Sequence, residues 1–191
     1  LGNLPKGLPV ILLNCRIDNP QFDTIITDGY GGAREMTSYL ISLGHSRIAV
    51  ITGGEANVES QERLRGYRSA MSHLGVPLTP GFEFAGDFTE ASGYEAAREI
   101  IELDQRPTAI FAFNDSMAIG AIGAIREAGL RIPADISVCG FDDVPVAKYL
   151  SPSLTSVHVP IHDLGVMAIN RVFDRLQNKS KIHAAHILVP T

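Results

Sequence analysis

Short apolar, β-branched runs alternate along this chain with segments whose apolar positions recur at helical spacing. The runs at 10–14, 24–27, 48–52, 82–85, 109–113, 136–140, 155–159 and 186–189 predict strands. Most have no polar alternation, as expected of parallel strands covered on both faces. Helical spacing predicts helices over 33–43, 60–74, 91–103, 116–128 and 161–177. Glycine follows three of these at Gly44, Gly75 and Gly129, where a helix would close, and Ser60 and Asp115 suit N-caps. The sequence therefore predicts an α/β fold, a parallel sheet covered by helices.

The beginning of the chain breaks the alternation. Four of the first nine residues are Gly or Pro, and a polar, turn-rich stretch over 14–23 replaces a crossover helix. Parallel neighbours normally need a crossover of a dozen or more residues. The first 27 residues therefore read either as part of a sheet whose other strands lie outside this chain or as an edge addition to the main sheet.

Composition adds limits. Of the 191 residues, 45% are apolar and 19% charged, a globular mixture, and the net charge of −5 offers no broad cationic face for phosphate backbones. Direct nucleic-acid binding by this chain is not expected. Cys15 and Cys139 each sit in an apolar run and read as buried thiols of a reducing compartment. No membrane-length apolar stretch occurs and residues 1–9 lack signal-peptide character, so the expected location is cytoplasmic.

Ligands of doubly wound sheets collect at the carboxyl ends of the strands, and here those ends are polar. They carry Asn14-Cys15-Arg16, Asp28-Gly29-Tyr30, Gly86-Asp87-Phe88, Asn114-Asp115 and Phe141-Asp142-Asp143, with Arg63 opening the helix after 48–52. Arg donates in a fork, Asp accepts twice, Asn does both, and Phe88 or Tyr30 offers a flat apolar face. The set suits a polyol such as a sugar. Asn and Asp after a strand also serve as caps and turn residues, the role expected of Asp115 and Asp143.

Enzyme motifs are missing: no phosphate-binding loop ending in Lys-Ser or Lys-Thr, no G-x-S-x-G and no H-E-x-x-H. Gly29-Tyr30-Gly31-Gly32 lacks dinucleotide spacing and reads as a tight strand-to-helix turn. Asp142-Asp143 has no companions for a metal, and the pairs His158/His162 and His183/His186 lack a Cys or carboxylate to complete a set. Neither a metal nor a cofactor is implied. The helix carrying Met117, Ile119, Ala121, Ile122 and Ile125 reads as core, with room on a second face for self-association.

From about residue 8 onward the chain resembles the effector-binding core of LacI/GalR-type transcriptional regulators. Six motifs carry the likeness in order: the stretch through Leu43-Gly44-His45-Ser46-Arg47-Ile48, then Arg63-Leu64-Arg65-Gly66-Tyr67 and Gly86-Asp87-Phe88. Pro107-Thr108-Ala109 to Asn114-Asp115, Gly129-Leu130-Arg131-Ile132-Pro133 with Gly140-Phe141-Asp142-Asp143, and Leu154-Thr155-Ser156-Val157 follow.

The resemblance implies a two-lobed periplasmic-binding-protein-like (type I) fold, with effector held between the lobes, three chain crossings and dimerisation. It implies that residues 1–27 are part of an incomplete N-terminal lobe and 28–157 a complete C-terminal lobe. Residues 158–178 then return to the N-terminal lobe and 179–191 to the C-terminal lobe, with crossings near 27–28, 157–158 and 178–179. It further implies effector contacts by Arg63, Asn114 and Asp142, a stacking ring at Phe88, a contribution from Asn14 of the other lobe, and pocket lining by Tyr30. Ile119, Ile122 and Tyr149 are implied in a homodimer interface.

Two departures bear on function. The helix-turn-helix reader of the family is not in this sequence, so operator DNA would be reached only through a domain outside it. Asn14 stands where sugar binders often carry an acid. Gly86-Asp87-Phe88 is shared with purine- and nucleoside-responsive members, while Asn114 beside Asp142 resembles the sugar branch. The expected function is a non-enzymatic sensor of a small molecule, a sugar first. The rivals are a transport-associated sugar-binding protein of the same fold and an α/β enzyme using Asp87, Asp142 and Arg63.

Overall fold

The computed structural model describes residues 8–15, 22–177 and 185–191. Arg16, His183 and the crossing expected near 178–179 lie outside these residues. The chain divides into two compact units, Gly29–Val159 on one side and Leu1–Asp28 with Pro160–Thr191 on the other.

The larger unit is an α/β sandwich of the predicted kind. Its five strands, β3 (Ile48–Thr52), β4 (Glu83–Ala85), β5 (Ala109–Ala112), β6 (Ser137–Asp142) and β7 (Thr155–His158), lie in the order β4-β3-β5-β6-β7, every pair parallel. The central β3 and β5 are buried at every residue, which explains why both read as unbroken apolar runs. Helices α1 (Gly29–Ser42), α2 (Val58–His73), α3 (Glu90–Ile101) and α4 (Asp115–Glu127) alternate with the strands. The core gathers Ile48, Ile51, Tyr67, Met71, Ile100, Phe111, Phe113, Met117, Ile125 and Phe141. Tyr67 buries its ring and donates its hydroxyl to the Ile48 carbonyl at 2.8 Å, so its one polar atom is satisfied.

Helix starts differ from expectation by a few residues, for one reason. Each cap is the residue whose side-chain oxygen reaches the exposed amides, and these are Asn57 for α2, Thr89 for α3 and Asn114 for α4. Ser60 instead accepts the Gly53 amide at 2.8 Å, and Asp115 is fully buried and bonded toward β6 and β7. Helix ends agree with the sequence. Gly75, at φ +70°, donates to Ser72 while Val76 donates to Met71, and α1 and α4 close the same way at Gly44 and Gly129.

Helices α3 and α4 approach to backbone contact. A Cβ placed on Gly120 would lie 1.9 Å from the Glu90 carbonyl oxygen, and one on Gly93 would lie 2.1 Å from that of Met117. Glycine at both positions permits this approach.

The smaller unit holds β1 (Ile11–Leu13), β2 (Asp23–Thr27), α5 (Ile161–Gln177) and β8 (His186–Val189). Its strands form a separate three-stranded parallel sheet, β1-β2-β8, so the opening residues are not an edge addition to the larger sheet. The closing segment was expected in the C-terminal lobe. It pairs with β2 instead, in the register Thr24 with His186 through Thr27 with Val189, and Thr24 Oγ1 meets His186 Nδ1 at 2.7 Å. The free edge of β2 supplies the ladder that this short apolar run needs.

Asp23, 1% exposed, joins the elements of this unit. It accepts hydrogen bonds from Arg171 at 3.0 Å, from Arg175 at 2.7 and 2.9 Å, and from the Ala185 amide at 2.7 Å. Helix α5 buries Leu164, while Val166, Ile169, Phe173 and Leu176 are exposed. Among the described residues no helix is long and apolar enough to cross a membrane.

Candidate functional site

The carboxyl ends of β3, β5 and β6 bring three of the predicted residues together in the larger unit. Arg63, on the first turns of α2, is 6% exposed. Its Nη1 donates to the Phe113 carbonyl just past β5, and its Nη2 stands 3.7 Å from Asp142 Oδ1 at the end of β6. The guanidinium carbon lies 3.8 Å from the centroid of the Phe141 ring and 6.0 Å from that of Phe88. A planar cation between aromatic rings is held as lysine would not be.

The electrostatics of the pair are unbalanced. Burial lifts the Asp142 carboxyl to about 6, a rise that Arg63 opposes and Asp115 reinforces. Burial also lowers the Arg63 guanidinium from its ordinary value, against the attraction of Asp142, Glu59 and Asp115. Desolvation thus exceeds attraction for both partners, because 3.7 Å is too long for a hydrogen bond.

Phe88 lies beside this pair. Its ring packs on the backbone of Gly53, where a Cβ would come within 1.9 Å of the ring. The Phe88 backbone sits at φ +68°, and Asn114 Nδ2 donates to its carbonyl at 2.9 Å. Asn114 Oδ1 accepts the Met117 amide at 2.9 Å, so this side chain holds the Phe88 loop to the start of α4. Asp87 turns to the same loop, taking the Thr89 amide at 3.0 Å and the Thr89 hydroxyl at 2.5 Å. These bonds hold its carboxyl below the ordinary range and engage it within the loop.

The other predicted residues lie elsewhere. Tyr30 bonds Ser69 at 2.8 Å and carries Arg65 over its ring at 4.6 Å, an arrangement between α1 and α2 that does not include Arg63. Asn14 belongs to the smaller unit, where its Oδ1 accepts the Thr27 amide at 3.1 Å. Ile122 is buried within its own chain, Ile119 is half-buried, and Tyr149 is 76% exposed. Cys139 is buried as expected, whereas Cys15 is exposed because it lies past the end of β1. His158 pairs with Asp143 at 2.9 Å, and among the described residues no three His, Cys, Asp or Glu gather as a metal site.

Two participants had no assigned role in the sequence reading. Phe141 enters the sequence pattern only as a neighbour of Asp142, although an aromatic beside an acid at a strand end is a usable sign of a stacked arginine. The Phe113 carbonyl leaves no trace in a side-chain pattern. A backbone signature accompanies the site in the larger unit: Phe88, Asp142 and Asp143, all following strands, have positive φ although none is glycine.

Comparison with known proteins agrees with this architecture. The profile of the periplasmic binding protein-like domain matches residues 37–191. The HTH-type transcriptional repressor PurR of Histophilus somni is 38% identical over 178 residues, covering 93% of this chain and 54% of that protein. The chain spans about half the length of the curated relatives it matches. A LacI-family regulatory protein from Chloroflexus aggregans superposes with a TM-score of 0.87 at 35% identity, covering 95% of this chain and 65% of that one. A LacI-family regulator from Enterococcus faecium, solved with bound ribose, gives 0.89 at 29% identity, covering 95% and 67%. The chain belongs to the periplasmic-binding-protein-like domain family, in the form carried by LacI-family transcriptional regulators.

Proposed function

We propose that this chain is the effector-sensing part of a cytoplasmic LacI-type regulator, which binds a small polar molecule and thereby controls DNA binding by a helix-turn-helix domain outside this sequence. The observation that carries this reading is the Arg63–Asp142 pair. It is desolvated, incompletely joined at 3.7 Å, and flanked by the Phe88 and Phe141 rings. A vicinal diol donates to the carboxylate and accepts from the guanidinium while its C–H face rests on a ring, so a sugar fits the set. The ribose held by the Enterococcus relative supports the sugar class. A nucleobase or nucleoside, the class suggested by the Gly86-Asp87-Phe88 motif, is the second.

Asn114 serves this site by holding Phe88. A homodimer is part of the reading, with Tyr149 and the exposed portion of Ile119 as its surface and Ile122 as core beneath. Ligand shifts an equilibrium between two arrangements of such a regulator only through different affinity for each.

Calorimetry with D-ribose, cellobiose, adenine and adenosine tests the proposal. Saturable binding with the ligand recovered unchanged, lost in Arg63→Ala, supports it. Turnover of a ligand, or binding to none of the four, overturns it.

A further inference from the structure

We infer that Asp115, acting with Ser156, is a positioning residue that sets Asp142 against Arg63. The inference rests on the reading of Arg63 and Asp142 as effector contacts. Asp142 and Asp143 have φ of +108° and +56°, two consecutive L-residues in a region that favours glycine. Such a turn persists only when its surroundings determine it, and the bonds that do so converge on one carboxylate. Asp115 Oδ2 accepts the Val144 amide at 2.7 Å. Its Oδ1 accepts the Ser156 hydroxyl at 2.6 Å, and the Ser156 oxygen in turn accepts the Asp143 amide at 3.0 Å. The two amides following Asp142 are therefore held by Asp115, one directly and one through Ser156.

The surrounding structure is built to admit this carboxylate. Asp115 is fully buried. A Cβ on Gly140 would lie 2.2 Å from its Oδ1, so a side chain at that point of β6 would displace it. Burial raises the Asp115 carboxyl above its ordinary range, opposed by the Ser156 and Val144 hydrogen bonds. An acid kept at such a cost at the first residue of a helix already capped by Asn114 is not needed for capping.

Crystal structures and amide hydrogen exchange of Ser156→Ala, Ser156→Thr and Asp115→Asn test the inference without a ligand. In Ser156→Ala, φ at Asp142 and Asp143 should relax to negative values and the Asp142 carboxylate should leave Arg63. The Asp143 amide should exchange at least tenfold faster, with β3 and β5 amides unchanged. Ser156→Thr keeps the hydroxyl and should keep the wild-type geometry. Asp115→Asn should expose the Val144 amide to faster exchange. Retention of both positive φ values and of the 3.7 Å approach in Ser156→Ala overturns the inference, and this variant decides if Asp115→Asn does not fold. Arg63→Ala tests the effector reading separately, so the two can fail independently.

Discussion

The guanidinium carbon of Arg63 lies 3.8 Å from the centroid of the Phe141 ring, on the same strand that ends one residue later in Asp142. Charge and ring are thus fixed by one segment of β6, and a change in either alters the other. Arg63→Lys should weaken effector binding nearly as much as Arg63→Ala, because an ammonium can neither stack nor donate in a fork. A loss of at least tenfold is expected from about 1.5–3 kcal/mol per charged hydrogen bond. Titration calorimetry on both variants checks it, and near-wild-type binding by Arg63→Lys would refute the stacked geometry.

Asp142 should make stability depend on pH with a definite sign. Its folded value of about 6 lies above the ordinary 3.8, so the folded state holds the proton more tightly. The resulting penalty is absent well below pH 4, grows as pH rises, and is complete above pH 6. Asp142→Asn should therefore stabilise the larger unit at pH 7.5 by about 1–2 kcal/mol, after discounting for solvent at a partly exposed carboxyl, and by much less at pH 4. Urea unfolding at the two pH values measures the difference. Equal shifts at both would show that desolvation does not act on this group.

Asp23 has the opposite linkage. Burial alone would raise its carboxyl, but hydrogen bonds from Arg175, Arg171 and the Ala185 amide hold it well below the ordinary range. Its contribution is present above the ordinary carboxylate value and is lost as pH falls toward the depressed folded one. Asp23→Asn should cost the smaller unit about 3 kcal/mol, since two arginines lose their shared partner. Hydrogen exchange at β2 amides reads this directly, with no matching change expected in β3 or β5.

Gly120→Ala should destabilise the larger unit by about 2–3 kcal/mol, the cost of forcing apart a packed contact. Gly123→Ala on the same helix, where a Cβ would meet only the Tyr94 ring at 3.6 Å, should be neutral or slightly stabilising. Thermal unfolding of the pair separates close approach from helix propensity.

The larger sheet was legible because each of its strands and helices is coded locally. The span of β3 matches its apolar run, and the α1, α2 and α4 ends fall at Gly44, Gly75 and Gly129. The partner of β8 was not legible, since pairing across more than 150 residues depends on which edge is free. Arg63 and Asp142 could be nominated by residue type, and Phe88 by its ring. The contacts of Tyr30 were not legible either, because its bond to Ser69 follows from the packing of α1 on α2. Asp115 departs from expectation for a similar reason. Its position at a helix start resembles that of a cap, and only the approach of β6 and β7 shows its other use.

The glycine contact between α3 and α4 also bears on the proposed effector site. The Phe88 loop leads into α3 and Asn114 caps α4, so these parts of the site are carried by two helices locked backbone to backbone. Sliding α3 along α4 would replace Gly120 or Gly93, where an added Cβ would stand 1.9 or 2.1 Å from a carbonyl oxygen, with a residue that carries a side chain. The segments that carry Phe88 and Asn114 are thus held at a fixed spacing, and under the proposed function they would select a ligand by size.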